Sequence, residues 1–244
     1  MNQREFKVRQ LRALLGMIER NYLPVVFASS FGAEDMVLTH LIASEFNAIE
    51  IITLDTLRLP METYSLISVS RKKYALDLGI HTPPIAAVID FEKHAGLFSM
   101  YESVENRKAC CHLRKVEPLE RALAGKQAWL TGLRREQAPS RSNLRESEFD
   151  THHQIVKFNP LIEWSNDDVW SYLHANNVPY NALHDKSYPS IGCEPCTRAI
   201  KPGEDSRAGR WWWENEAAGG QQECGLHVKD AGVRNRKSKI GATT

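Results

Sequence analysis

Short apolar runs alternate with helix-forming segments along most of this chain, and that alternation restricts the folds it can adopt. Continuous apolar runs predict buried strands at residues 25–28, 48–54, 85–89 and 128–133. Helical spacing of apolar residues predicts helices at residues 3–20, 36–46, 61–78, 91–101 and 112–123. Because strands that alternate with helices form a doubly wound, mostly parallel sheet, we expect an α/β fold.

The C-terminal part of the chain has a different pattern. Ser165 and Asp168 have the spacing of a capping box, which predicts a helix from there to about residue 177, before Pro179. From Lys201 onward Gly, Arg, Trp and Lys dominate without periodicity, which predicts a mobile tail. We therefore expect an α/β domain at residues 1–200 and a C-terminal tail at residues 201–244.

The charge balance excludes some classes of partner. The chain has 244 residues and a formal net charge of +1, so bulk electrostatics favour neither nucleic acid nor a membrane surface. Charged residues interrupt the segment from Arg4 to Arg20, which therefore lacks the apolar core of a secretory signal, and no stretch approaches the length of a membrane span. We expect a cytosolic protein, in which thiols stay reduced.

Four of the five cysteines fall into two close-set groups, Cys110-Cys111 and Cys193-x-x-Cys196. Such groups, distant in sequence, are typical of a metal or iron–sulfur site that folding closes. Spacing alone leaves tetrahedral zinc and an iron–sulfur cluster as equal alternatives, and a simpler interpretation is that some of these are ordinary buried thiols. Adjacent cysteines need a special backbone to share a site, and we expect it where a loop enters the helix at residues 112–123.

Cys224 stands alone in a polar, glycine-flanked stretch, which predicts an exposed thiol. His227, Arg207 and Arg210 could stabilise its thiolate, as a nucleophilic cysteine requires. The alternative is an incidental tail cysteine. If the other four thiols bind metal, Cys224 has no resolving partner in its own chain, so an external thiol must restore it after any oxidation.

A candidate anion site follows the first predicted strand. Residues 29–35 form a small polar loop that contains Gly32 and leads into a helix, an arrangement at which phosphate groups bind. Basic residues cluster near the presumed carboxyl ends of strands and in the tail: Arg114, Lys115, Arg134, Arg135, Arg141, Arg207 and Arg210. Because ligands of open α/β sheets bind at that edge, the sequence predicts a site for a compact, multiply charged anion.

Seven motifs in order resemble those of the assimilatory adenylyl-sulfate (APS) reductases, relatives of the PAPS reductases in the adenine nucleotide α-hydrolase superfamily. They cover nearly the whole chain. The motifs are Ser29-Ser30-Phe31-Gly32-Ala33-Glu34-Asp35, Leu54-Asp55-Thr56, Cys110-Cys111-x-x-Arg114-Lys115, Thr131-Gly132-Leu133-Arg134-Arg135-x-Gln137, Cys193-x-x-Cys196, Arg207-x-x-Arg210-Trp211-Trp212-Trp213 and Glu223-Cys224-Gly225-Leu226-His227.

The resemblance implies a nucleotide-binding domain with an adenine nucleotide α-hydrolase-like fold and a [4Fe-4S] cluster on Cys110, Cys111, Cys193 and Cys196. It implies APS as substrate, thioredoxin or glutaredoxin as reductant, and a homo-oligomer. The implied catalytic residues are Cys224, His227, Lys115, Arg207 and Arg210. The implied substrate-binding residues are Ser29, Ser30, Phe31, Gly32, Leu54, Gly132 and Arg141.

The sequence departs from the family pattern at three positions. Leu57 stands where relatives usually have Gly, Ala138 replaces a common Ser, and Gln222 replaces Lys or Thr. These departures affect only fine contacts near the nucleotide and the tail. The alternatives are a PAPS reductase and a zinc-stabilised adenine-nucleotide-binding module without turnover. An ATP-dependent thiolating enzyme is disfavoured, because the loop has one glycine, Gly32.

Overall fold

The computed structural model describes residues 3–215, and a six-stranded sheet lies at the centre of this part. The strands are β1 Val25–Ala28, β2 Glu50–Leu54, β3 Leu78–His81, β4 Ala128–Leu130, β5 Ser147–Asp150 and β6 Ile155–Phe158. Their order across the sheet is β3-β2-β1-β4-β6-β5. The strands pair in parallel except β5, which is antiparallel to β6 at one edge. The predicted doubly wound, mostly parallel sheet is confirmed.

Helices cover the faces of the sheet. They are α1 Gln3–Asn21, α2 Ala33–Glu45, α3 Met61–Tyr74, α4 Ile85–Ala95, α5 Val104–Cys111, α6 Glu117–Leu123, α7 Asn166–Ala175 and α8 Trp212–Asn215. A π-helical segment, His112–Val116, joins α5 to α6, so the three form one continuous helical stretch. Single π turns inside α-helices are frequent at functional sites.

Two hydrophobic layers enclose the sheet. On one face, Leu15 of α1 and Leu38 of α2 are fully buried together with Phe27 of β1. On the other face, Leu119 of α6 packs with Val26 and neighbouring strand residues. Successive residues of β1 thus enter opposite layers, as the alternation of side chains along a strand requires. Burial on both faces explains why β1 and β4 have continuous apolar sequences.

The sequence analysis was wrong about the third strand. Residues 85–89 belong to helix α4, and the third strand is Leu78–His81, which the periodicity had assigned to the end of a helix. Ile85 and Ile89 are 55% and 62% exposed, since they lie one helical turn apart on the outer face. A short apolar run does not distinguish a strand from a helix, and the preceding Pro84 is the signal for a helix start.

Two helices also end earlier than predicted. α3 stops at Tyr74 because Ala75 has a left-handed backbone with φ of 48°, which frees the next residues for β3. α4 stops at Ala95, where Gly96 has φ of 92°, so the predicted helix at residues 91–101 is interrupted.

The predicted capping box is confirmed. Ser165 Oγ accepts from the backbone of Asp168, and the Asp168 carboxylate accepts from the backbone of Ser165, at the start of α7. Lys7 of α1 pairs with the same carboxylate at 2.5 Å. One side chain therefore both starts α7 and ties it to α1.

Residues 201–215 pack against the domain. Arg210 forms a bridge with Thr197, and Trp211 is 1% exposed. The boundary at residue 200 stays a prediction, because the rest of the tail lies outside the described residues. Within residues 3–215, no helix combines the length and the apolar character that crossing a membrane requires.

Candidate active site

A cavity of about 750 Å³ opens where the strand order reverses, at the carboxyl ends of β1 and β4. In open α/β sheets ligands bind at this switch point. Most of the predicted substrate-binding and catalytic residues in the described part line it. They are Ser29, Ser30, Gly32, Leu54, Lys115, Gly132, Arg141, Arg207 and Arg210.

The loop after β1 is held by a buried carboxylate. Asp35, in the first turn of α2, accepts hydrogen bonds from the backbone N and the Oγ of Ser30, both at 2.6 Å. Phe31 has φ of 58°, a region that bulky residues rarely occupy, and its ring is 1% exposed in the core. Phe31 therefore does not line the cavity. Its ring anchors the loop by packing into the hydrophobic core.

Asp35 also fixes the loop after β4. A Cβ built on Gly132 would lie 2.0 Å from Asp35 Oδ1, so glycine is required for this close approach. Burial raises the pKa of Asp35 to about 6, although the hydrogen bonds from Ser30 and from the Gly132 backbone oppose the shift. The two loops of the switch point thus meet at one carboxylate.

Cationic side chains surround the cavity. Lys115, Arg141, Arg207 and Arg210 are among its lining residues. Arg134 is held differently, because it pairs with Glu34 and Glu136, each at 2.8 Å. The cavity can therefore accommodate a ligand with several negative charges.

The four paired cysteines line a second, smaller cavity. Cys110 and Cys111 end α5, while Cys193 precedes the turn at residues 194–196 and Cys196 ends it, and all four are buried. The expected loop-to-helix junction is wrong, since Cys110 and Cys111 lie within the helix. The π-helical segment that follows them supplies the unusual backbone instead.

Buried positive charge surrounds the cysteine cavity. Its lining includes Arg58, Arg107, Arg114 and Lys115. Glu92 accepts from Arg58 at 2.7 Å and from Arg114 at 2.5 Å, and Glu214 pairs with Arg107. Among residues 3–215, three buried guanidinium nitrogens have no hydrogen-bond partner: Arg107 Nη1, Arg114 Nε and Arg210 Nε. Such orphaned donors indicate a place for additional negative charge.

The electrostatic surroundings act unequally on the thiols. Burial would raise the pKa of Cys193, but Lys115 and the Thr56 hydroxyl, whose Oγ1 lies 3.3 Å from Cys193 Sγ, outweigh it and lower that pKa. Burial, together with the nearby Cys193, raises the pKa of Cys196 to about 12. Burial also raises the pKa of Cys110. Burial thus favours the protonated thiols of Cys110 and Cys196. A group that binds thiolates would stabilise the site by replacing those protons.

The donor set fits a thiolate-bound, anionic group. Four sulfurs are the ligands that soft metal centres and iron–sulfur clusters select, and the surrounding guanidinium groups can donate to the sulfurs. No three His, Cys, Asp or Glu side chains among residues 3–215 converge on a position for a single metal ion. The four cysteines nevertheless line a common cavity.

The two cavities share a wall. Lys115 and Trp211 line both of them. Thr56 lines the larger cavity and approaches Cys193 in the smaller one. Chemistry in the larger cavity is therefore adjacent to the cysteine site.

Sequence reasoning missed several residues of the site. Arg58 follows the Leu54-Asp55-Thr56 motif, and Arg107 precedes Cys110 and Cys111 by one helical turn. The turn spacing of Arg107 was a usable signal. Glu92 gave no local signal, because its partners come from distant segments.

Leu57, which stands where relatives usually have Gly, adopts a backbone conformation that favours glycine. Its backbone has φ of 60° and its side chain is 40% exposed. Glycine adopts that conformation without steric cost, whereas leucine does so with strain. Two predicted catalytic residues, Cys224 and His227, lie outside the described residues.

The chain is similar to known reductases along most of its length. The family model for the phosphoadenosine phosphosulfate reductase domain matches residues 24–199. An adenosine 5'-phosphosulfate reductase of Burkholderia cepacia is 53% identical, over 91% of this chain and 88% of that protein. A protein of the same name from Allochromatium vinosum is 50% identical, over 91% of this chain and 85% of that protein.

Solved structures agree with the fold. A phosphoadenylyl-sulfate (PAPS) reductase from Candida auris, in a phosphate complex, superposes with a TM-score of 0.66 and 28% identity, over 80% of this chain and 96% of that one. An FMN adenylyltransferase from Candida glabrata superposes with a TM-score of 0.58 at 15% identity, over 90% of this chain and 76% of that one, a likeness of fold alone.

The close approach of Gly132 to Asp35 predicts that a side chain at residue 132 destabilises the folded protein. Gly132→Ala should lower the free energy of unfolding by about 1–3 kcal/mol, because the new methyl group overlaps the Asp35 carboxylate. Gly32→Ala is the matched control, since its nearest neighbour would be Ser30 Oγ at an ordinary 3.5 Å. Urea unfolding of both variants checks this, and equal stabilities would contradict the proposed contact.

The raised pKa of Asp35 predicts a pH-dependent stability difference. The folded pKa of about 6 exceeds the ordinary 3.8, so the folded state holds this proton more tightly than the unfolded state. That stabilising contribution is complete below pH 3.8 and is lost as the pH rises through about 6. Relative to Asp35→Asn, the wild type should therefore lose stability between roughly pH 4 and pH 7. Urea unfolding at several pH values measures this, and a pH-independent difference would refute it.

Proposed function

This chain belongs to the phosphoadenosine phosphosulfate reductase family and is an oxidoreductase of the APS reductase type, and we propose that it reduces adenosine 5'-phosphosulfate to sulfite and AMP in sulfate assimilation, with electrons from thiols. The observation that carries the proposal is the wall of Lys115 and Trp211 between the cation-lined cavity and the four-cysteine cavity. It supports a nucleotide and its sulfate group bound beside the cysteine site.

Ligand binding, on this proposal, uses the switch-point loops and the cations. The nucleotide is held by five residues that line the larger cavity: Ser29, Ser30, Gly32, Leu54 and Gly132. Phe31 contributes indirectly, because its buried ring fixes the conformation of the loop. Arg141, Lys115, Arg207 and Arg210 offset the charges of the phosphate and the sulfate. The cations also lower the repulsion that an anionic nucleophile meets when it approaches the sulfate.

The nucleophile in this proposal is the Cys224 thiolate, with His227 nearby in sequence. Its sulfur attacks the sulfur of the sulfate group, the bond from that sulfur to the phosphate oxygen breaks, and AMP leaves with the electron pair. The product on the enzyme is an S-sulfocysteine. Cys224 follows Asn215 by nine positions, a length of chain that spans at most roughly 30 Å, so a cysteine at that position can reach the cavity.

A dithiol protein of the thioredoxin or glutaredoxin type completes the cycle. One of its thiolates attacks Cys224 Sγ and expels sulfite, forming a mixed disulfide, and its second thiol then releases Cys224. Two electrons pass from the dithiol to the sulfur of the substrate. Because both thiol partners must be reduced, we place the reaction in the cytoplasm.

The cysteine site would hold a [4Fe-4S] cluster through Cys110, Cys111, Cys193 and Cys196, which all line one cavity. When bound, such a cluster supplies a fixed, thiolate-ligated charge rather than the nucleophile. Lys115 lines both cavities, so it would lie between that charge and a sulfate bound in the larger cavity, where it can stabilise developing negative charge.

The proposal predicts that APS converts the reduced protein to a form heavier by one sulfo group, located on Cys224. Cys224→Ser should bind AMP normally and form no adduct, because serine lacks the thiolate nucleophile. Intact-mass spectrometry with peptide mapping measures both. The control is Cys193→Ser, which keeps Cys224 and changes a cysteine of the smaller cavity. We expect it to lower the iron content of the protein. An adduct that persists in Cys224→Ser would contradict the assignment, as would a nucleotide-binding wild type that forms none.

A PAPS substrate is the second candidate, because the similar Candida auris protein is named a PAPS reductase. Parallel measurements of kcat/KM with APS and PAPS separate the two. We expect the higher value with APS, since the relatives that share about half of the sequence are named for that substrate.

A further inference from the structure

Arg107 is a buried cation that touches three parts of the site. It lies on α5, is 2% exposed and lines the cysteine cavity. Its Nε donates to Glu214 Oε1 in α8. Its guanidinium carbon lies 4.8 Å from the centre of the Trp211 ring. The side chain therefore connects the cysteine helix to the last described residues of the chain.

Trp211 is held between two guanidinium groups. Arg107 lies on it at 4.8 Å and Arg210 at 4.7 Å from the ring centre. The backbone of Trp211 has φ of 45°, a conformation that a bulky residue keeps only when its surroundings enforce it. Cation–π contacts between desolvated groups supply that constraint. The two arginines thus fix the position of Trp211 against the cysteine helix.

Arg107 also faces the thiols. It precedes Cys111 by four positions on the helix, so both side chains lie on one face, and the Cys111 thiol is among the groups hydrogen-bonded to its guanidinium. Its Nη1 is buried and has no hydrogen-bond partner within the described part of the chain. One guanidinium therefore contacts a thiol of the cysteine site and pairs with Glu214 at the same time.

We propose that Arg107 is a positioning residue, which couples the four-cysteine site to the segment carrying Cys224 by fixing Trp211 and Glu214. The proposal rests on the proposed function, because it assigns Arg107 to the sulfur-transfer step rather than to nucleotide binding. Loss of the contact releases residues 207–215 from the cysteine helix. The anchor from which the chain continues toward Cys224 in sequence is then less constrained, and the transfer step slows.

The experiment uses the full chain, as purified, in four variants. Arg107→Met removes the charge and keeps the unbranched stem of the side chain, Arg107→Lys keeps the charge, and Glu214→Gln removes the negative charge of the partner without adding bulk. The matched control is Arg121→Met on α6, whose ion pair with Glu117 is exposed. Circular dichroism and thermal unfolding first establish that each variant is folded.

Hydrogen exchange measured by mass spectrometry tests the contact without any reaction. In Arg107→Met and Glu214→Gln, amide exchange in peptides covering residues 207–215 should rise by about tenfold, which corresponds to about 1.4 kcal/mol of lost local stability. Arg107→Lys should rise less, and Arg121→Met should match the wild type. Unchanged exchange in both Arg107→Met and Glu214→Gln would overturn the proposal.

Single-turnover kinetics tests the consequence. The rate of S-sulfo adduct formation from APS should fall at least tenfold in Arg107→Met and Glu214→Gln, with partial recovery in Arg107→Lys, while AMP affinity changes less than threefold. Iron retention against a chelator should fall in Arg107→Met but not in Glu214→Gln, because only Arg107 faces the thiols. Equal losses of rate and AMP affinity would overturn the positioning role.

The two proposals fail separately. A wild type that forms no adduct while residues 207–215 are released in Arg107→Met would refute the proposed function and leave the structural coupling supported. A wild type that forms the adduct at the same rate as Arg107→Met would refute the coupling and leave the proposed function intact.

Discussion

Compensation of buried positive charge is the constraint on which this site depends. Arg107 and Arg114 are each 2% exposed, and burying an unpaired guanidinium costs several kcal/mol. Glu92 and Glu214 supply part of the compensating charge. The cysteine sulfurs line the same cavity as these guanidinium groups, so a bound group that keeps the sulfurs ionised would supply the rest. The site is therefore most stable when a bound group keeps its thiols deprotonated.

The parallel sheet puts this charged site beside the ligand cavity. Because the strand order reverses at β1, the loops after β1 and β4 separate and leave the cavity between them. The helical stretch from α5 to α6 then carries Cys110, Cys111 and Lys115 along one side of that opening. Together with Trp211, which precedes α8, Lys115 forms the wall that the two cavities share, so a charge held in the cysteine cavity would lie next to a ligand in the larger one.

Sequence reasoning found β1, β2 and β4, whose sequences are largely apolar, and the helix whose N-cap is Ser165. It missed β3, a short strand at the sheet edge in which only Leu78 is buried, and it missed β5 and β6, whose four-residue sequences include charged side chains. Motif order located most of the cavity lining. It did not reveal Glu92 or Arg58, because their roles depend on contacts between segments far apart in the chain. Phe31 shows the opposite case, a motif residue whose side chain supports the loop from the core.

Metal and sulfide analysis of the anaerobically purified full chain tests the central claim most directly. The account predicts about four iron and about four sulfide ions per chain, with only Cys224 open to alkylation in the folded protein. Zinc at about one ion per chain, or a metal-free protein in which all the cysteines alkylate at similar rates, would contradict it.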